Sequence, residues 1–124
     1  MRLALLALPL APLTALADMV AVPSGLPVTL QETLWQGPDE VDGHWLRLRF
    51  VAPGLGTWES SILDMAHLCD TVALTLLAET GRTADVIMIS LADRPSEFGQ
   101  IDPDLVQFIE AFRPDDGICM LEDF

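Results

Sequence analysis

The sequence has no lysine and no tyrosine, and its six basic residues are all arginine, set against nineteen Asp and Glu. That shortage of positive charge, a formal net of −13, excludes nucleic acid as a partner, because no run of phosphates could be neutralised. It argues equally against docking on an anionic bilayer surface. At 124 residues there is room for one domain and none for a second lobe closing over a large cofactor, so no cofactor is expected. A phosphate-cradling glycine loop, a Gly-x-Ser-x-Gly elbow and a metal-ligand cluster at ligand spacing are all missing. An enzyme reading therefore has no nucleophile constellation to start from.

What is present begins with residues 1–17, MRLALLALPLAPLTALA. Arg2 supplies a positive start, Leu3 to Leu16 carries no charge, and Ala15-Leu16-Ala17 has the small-x-small shape of a signal-peptidase site. The segment is expected to be a signal peptide cleaved after Ala17. The apolar run is short for a bilayer span, and Pro9 and Pro12 interrupt it, so no membrane contact is expected after cleavage. No cysteine follows the run to carry a lipid. Residues 18–124 then form a single domain of charge −14, since Arg2 leaves with the leader.

Cys69 and Cys119 are the only cysteines. An even count in an exported chain predicts one disulfide. Chain entropy gives about 4 kcal/mol for closing a loop of roughly fifty residues. Their spacing is unlike the paired Cys-x-x-Cys of redox or zinc sites.

Along the domain, Pro27 to Trp35 (PVTLQETLW) predicts a strand. Val28, Leu30 and, continuing the alternation, Glu32 share one face, and Thr29, Gln31 and Thr33 the other. His44 to Ala52 (HWLRLRFVA) is the clearest strand: Leu46, Leu48 and Phe50 alternate with Trp45, Arg47, Arg49 and Val51. The two segments pair as a hairpin across a Gly-Pro-Asp-rich loop. A helix is predicted from about Ile62 to Glu79, capped by Ser61 with Asp64 three residues on and stopped by Gly81. Its apolar stripe holds Ile62, Met65, Ala66, Cys69, Val72, Ala73 and Leu76, with Asp64, His67, Thr71 and Thr75 opposite. Ala84 to Ala92 (ADVIMISLA) predicts a central strand covered on both faces. Residues 103–112 fit a short helix opened by Asp102 and Pro103, or a strand. Pro114-Asp115-Asp116-Gly117 is a hairpin signal before Ile118 to Phe124, and tips the balance narrowly to strand–turn–strand. The resulting order is β-β-α-β-(β or short helix)-β. It predicts an α+β domain with one long helix packed on a mostly antiparallel sheet.

The strings LRLRFVAP (46–53), DMAHLC (64–69), ISLADRPSEFG (89–99), VQFIEAF (106–112) and DGICMLEDF (116–124) resemble, in that order, a family of small exported bacterial proteins of unknown function. Leu121 departs from the pattern, which has Trp before the Glu. The resemblance covers nearly all of residues 18–124. It implies a periplasmic protein with one disulfide and supplies no activity, substrate or catalytic residue.

Three sets of side chains could carry chemistry. Met65, His67 and Met120, with Met88 and the cysteines, have the donor types that suit Cu(I), and a copper-handling protein is the alternative from another class. Met65 and Cys69 lie on the apolar stripe, however, so ordinary core is the preferred reading. Asp64 and His67 with Ser60 and Ser61 sketch a small hydrolase, against which capping and a solvated helix face are preferred. Trp45, Arg47 and Arg49 project from one strand face and, with Arg94, could form an anion pocket. Cross-strand pairing with Glu32, Glu110 or Glu122 competes with that reading. The favoured function is a periplasmic, non-enzymatic accessory or interaction protein. Its partner would be a protein or small anionic ligand, met at the Arg face and the loop from Asp93 to Gly99.

Overall fold

The computed structural model describes residues 19–122; the expected signal segment, 1–17, lies outside them. Six strands form one sheet in chain order: β1 (Met19–Val20), β2 (Val28–Gln36), β3 (Trp45–Val51), β4 (Val86–Ala92), β5 (Gln107–Asp115) and β6 (Ile118–Leu121). Neighbours pair antiparallel except β3 and β4, which run parallel. Parallel neighbours cannot be joined by a hairpin and need a crossover. Here it is the helix Trp58–Thr80: α1 (Trp58–Leu68), a π-helical turn (Cys69–Ala73) and α2 (Leu74–Thr80).

This corrects the expected architecture of one long helix on a mostly antiparallel sheet. The sheet is mixed, its two innermost strands are parallel, and strands dominate the domain. The physical reason lies in burial. Both β3 and β4 bury their last four residues completely or nearly so, which suits adjacent central strands rather than the arms of a hairpin.

The helix begins earlier than the sequence suggests. Thr57, not Ser61, is the cap: its hydroxyl accepts from the Ser60 amide, while the Ser60 hydroxyl accepts from the Thr57 amide. Ser60 thus completes the capping box in the place usually held by Glu or Gln. Ser61 instead donates to the Thr57 carbonyl. Gly81 stops the helix in the left-handed conformation that glycine adopts freely (φ 67°). The buried helix positions include Ser61, Met65, Cys69, Ala73 and Leu77. A repeat of four overshoots a 3.6-residue turn and would carry the stripe off the sheet. The wider π turn, in which the Leu74 amide donates to the Cys69 carbonyl, brings it back.

That stripe packs against Leu46, Leu48 and Phe50 of β3, Ile87, Ile89 and Leu91 of β4, and Phe112 of β5. All seven are at most 1% exposed. Periodicity predicts Asp64 on the solvated side; it is buried instead, accepting from the Ser24 amide and hydroxyl. This bond fastens the segment after β1 onto the helix. By length and apolar composition the helix would pass for a membrane span, yet one side of it packs on the sheet and a disulfide ties it to β6.

Cys69 and Cys119 form the disulfide. Asp70 reinforces it, its Oδ1 accepting from the Cys119 amide at 2.8 Å. Residues 107–115 are strand, which settles the helix-or-strand alternative. The turn Asp116-Gly117 has positive φ at both positions, 53° and 86°, the type I′ geometry that suits a two-residue hairpin.

Candidate functional site

The helix covers one face of the sheet. The other face carries, row by row, Glu32–Arg49–Ser90–Ile109 and Leu34–Arg47–Met88–Ala111, since paired residues share a face. Over part of it lies the loop from Asp93 to Val106. Between loop and sheet is a cavity of about 300 Å³, lined among others by Arg47, Arg49, Ser90, Ser96, Phe98 and Gln107.

Glu32 reaches this face through a β-bulge. Simple alternation puts Leu30 and Glu32 together, but the register shifts between them. Leu30 pairs with Phe50 on the core side and Glu32 with Arg49 on the other. An extra residue in one strand re-aims everything after it. The bulge therefore delivers a carboxylate to Arg49, with Nη1 2.6 Å from Glu32 Oε1.

Arg49 is 5% exposed, and its remaining bonds hold the loop. Nη2 donates to the Ser96 carbonyl at 3.0 Å and to the Ser96 hydroxyl at 2.9 Å. Gln31 Nε2 donates to the same carbonyl at 2.7 Å. The loop's base is closed by Asp93, whose Oδ1 accepts from the Val106 amide and whose own amide donates to the Val106 carbonyl. Arg94 donates to Asp93 and to the Asp104 carbonyl. The hydrogen bond from Arg94 is the main cause that holds the Asp93 carboxyl below its ordinary value, and the same bond raises Arg94.

Arg47 differs in kind. It is half-buried, its Nε donates to Gln36 Oε1 at 3.2 Å, and it has no carboxylate partner among the described residues. Its guanidinium carbon lies 5.0 Å from the Phe98 ring centre and 6.0 Å from that of Trp45. Burial first, and repulsion from Arg49 second, lower its pKa from the ordinary value. Phe98 also covers Arg49 at 5.5 Å, so one ring caps both cations.

The Arg face thus divides. Arg47 and Arg49 share the cavity with Ser96 and Phe98 of the 93–99 loop, while Arg94 is engaged at the loop's base. Trp45 also lines a second cleft of about 410 Å³, where Arg82 stacks on Trp35 at 4.2 Å. Of the competing acidic partners, Glu32 takes Arg49, Glu122 pairs with Arg113, and Glu110 accepts from the Trp58 indole. Ser90, Phe98 and Gln107 were not singled out from the sequence. Ser90 and Gln107 sit within apolar or ambiguous runs whose signal is burial, and only the pairing of β3, β4 and β5 places Ser90 beside Arg49 and Gln107 one row further along the same face.

The other constellations are taken apart. Met65 is wholly buried in the core, Met120 is 41% exposed on β6, and both cysteine sulfurs are spent on the disulfide. His67 is half-buried on α1. No three His, Cys, Asp or Glu converge as metal ligands among the described residues. The hydrolase set is dispersed too: Ser60 and Ser61 serve the Thr57 cap and Asp64 serves Ser24.

Comparison with curated proteins and with solved structures finds no match to the chain. A family model does match, across residues 6–124, and the chain accordingly belongs to DUF6497, a family of unknown function.

Proposed function

We propose that this is an exported, periplasmic binding or accessory protein rather than an enzyme, and that its recognition surface is the sheet face at Arg47. The observation that carries the reading is one guanidinium, half-buried at a cavity, that forms no ion pair among the described residues. A desolvated charge is costly unless something compensates it. Arg49 and Arg113 each have an intramolecular acid; Arg47 is left for a partner from outside.

Export is supported by the leader pattern at 1–17 and by the Cys69–Cys119 disulfide, a bond characteristic of oxidising compartments. Intact mass of the exported chain, alkylated without reduction, tests it. The expected product begins at Asp18 and takes up no alkyl group. A product retaining Met1, or one with two alkylated thiols, refutes export. The recognition surface is tested by a photo-crosslinker in place of Phe98 in the living cell. Adducts formed there are expected to vanish in the Arg47→Ala background, and adducts unchanged by that substitution refute the assignment.

A further inference from the structure

The cavity at Arg47 has a chemical character narrower than "anionic". Its guanidinium spends Nε on Gln36 and keeps Nη1 and Nη2 without a partner among the described residues. Those two donors form one edge of a planar fork, the geometry that matches a carboxylate with two parallel bonds. Ser90 and Gln107 also line the cavity, neither with a side-chain hydrogen bond among the described residues. Phe98, Leu105 and Ile109 supply the apolar part of the lining, beside the polar Ser96, Glu97 and Gln100.

The charge balance restricts the anion. Glu32 already neutralises Arg49, and Glu97 lines the same cavity. One net positive charge at most is therefore on offer, inside a chain of net −13. A dianion such as phosphate would meet Glu97 and the field of the whole protein with one guanidinium to set against them. A monocarboxylate needs only the fork, and its body can lie on the apolar wall. The volume of about 300 Å³ is at the small end of ligand sites, which limits the body to a few carbons.

We propose that this cavity is the seat of a small monocarboxylate, its carboxylate held by the Arg47 fork and its apolar body by Phe98, Leu105 and Ile109. The inference rests on the reading of this face as the recognition surface and adds the ligand class. The lowered pKa of Arg47 accords with it: burial disfavours the bare cation, and an incoming carboxylate relieves that.

The test is a titration of the exported, disulfide-bonded protein with hexanoate and, separately, with inorganic phosphate, followed by backbone and Arg Nε NMR shifts. Hexanoate is expected to give saturable shifts at Ser90, Phe98, Gln107 and Arg47, with Kd on the order of 1 mM. Arg47→Gln is expected to abolish them. Arg47→Lys, which keeps the charge and loses the fork, is expected to weaken them roughly tenfold. Arg82→Ala, in the other cleft, should bind as the parent does. Phosphate binding as tightly as hexanoate overturns the monocarboxylate class. So do hexanoate shifts that fail to saturate, that spread over the surface, or that survive Arg47→Gln in a folded protein. The two levels fail separately: absent hexanoate binding with Arg47-dependent crosslinks at residue 98 removes only the ligand class, whereas Arg47-independent crosslinks remove the recognition surface itself.

Discussion

Arg47 and Arg49 are two residues apart on one strand face, yet their substitutions should cost very different amounts of stability. Arg49→Ala removes the bond to Glu32 and two bonds to Ser96. Hydrogen bonds to charged groups contribute about 1.5–3 kcal/mol each, but the sum is reduced here. Glu32 keeps 38% of its side chain in solvent and is rehydrated once freed, and the Ser96 carbonyl retains Gln31. A net loss of about 2–4 kcal/mol follows, or a fall in Tm on the order of 10–20 °C for a domain of this size. Arg47→Ala removes one bond to Gln36 and two cation–π contacts at 5.0 and 6.0 Å. Relief of desolvation and of repulsion from Arg49 offsets part of this, so the net cost stays within about 1 kcal/mol. Urea unfolding followed by tryptophan fluorescence measures both. Equal losses for the two variants, or a larger loss for Arg47→Ala, would refute the division into a structural and a binding arginine.

Four further outcomes are expected. Replacing both cysteines with Ala should cost about 3–4 kcal/mol, from a 50-residue separation, with hydrogen exchange rising first in β6; uniform acceleration across the sheet would contradict the view that the bond pins this edge. Thr57→Ala should cost about 1 kcal/mol by loss of the cap, whereas Ser61→Ala, although it removes a bond to the Thr57 carbonyl, should leave the helix start in place by NMR. Gly43→Ala should destabilise by about 1–3 kcal/mol, because φ is 92° and the new Cβ would lie 2.6 Å from Asp85 Oδ2, the oxygen that accepts from the His44 amide; unchanged urea midpoints would rule this out. Asp93 has its folded pKa depressed chiefly by the bond from Arg94. Its contribution is therefore complete above the ordinary carboxyl value near 4 and is lost as pH falls through the lower folded value. Protection of the Val106 amide relative to its intrinsic exchange should fall over that acid range in the parent and already be low at neutral pH in Asp93→Ala.

Most strands could be read from alternation because one face of each is dry. Leu46, Leu48 and Phe50 declare β3, and the unbroken run of β4 declares a strand covered on both sides. The parallel pairing of these two could not be read, since a residue's burial does not say which neighbour buries it. Periodicity gives the wrong helix phase at Asp64. A 100° wheel assumes a uniform α-helix, and it counts a carboxylate as solvated without knowing that Ser24 supplies two donors. The Arg face was visible as a face but not as a site. Which arginine is satisfied depends on a one-residue bulge at Leu30–Glu32, and nothing in the string TLQET marks that extra residue as distinct from ordinary alternation.

The bulge also explains why one cation is satisfied and its neighbour is not. Without it, Glu32 would continue the core-facing series of Val28 and Leu30, and both Arg47 and Arg49 would lack an acid on β2. With it, Glu32 stands opposite Arg49, Leu34 opposite Arg47 and Gln36 opposite Trp45. The residue facing Arg47 is thus apolar, and its nearest polar support is a neutral amide. Acids are abundant in this chain, and a single Leu34→Glu change would place one directly across from Arg47, at a cross-strand distance where opposite charges attract. That substitution should tighten the fold by up to about 1 kcal/mol and abolish hexanoate binding, because the fork would be occupied from within. Retained binding in a Leu34→Glu protein would show that the vacancy at Arg47 is not what the ligand uses. Stabilisation with loss of binding would show that a partner inside the chain and one outside compete for the same two donors.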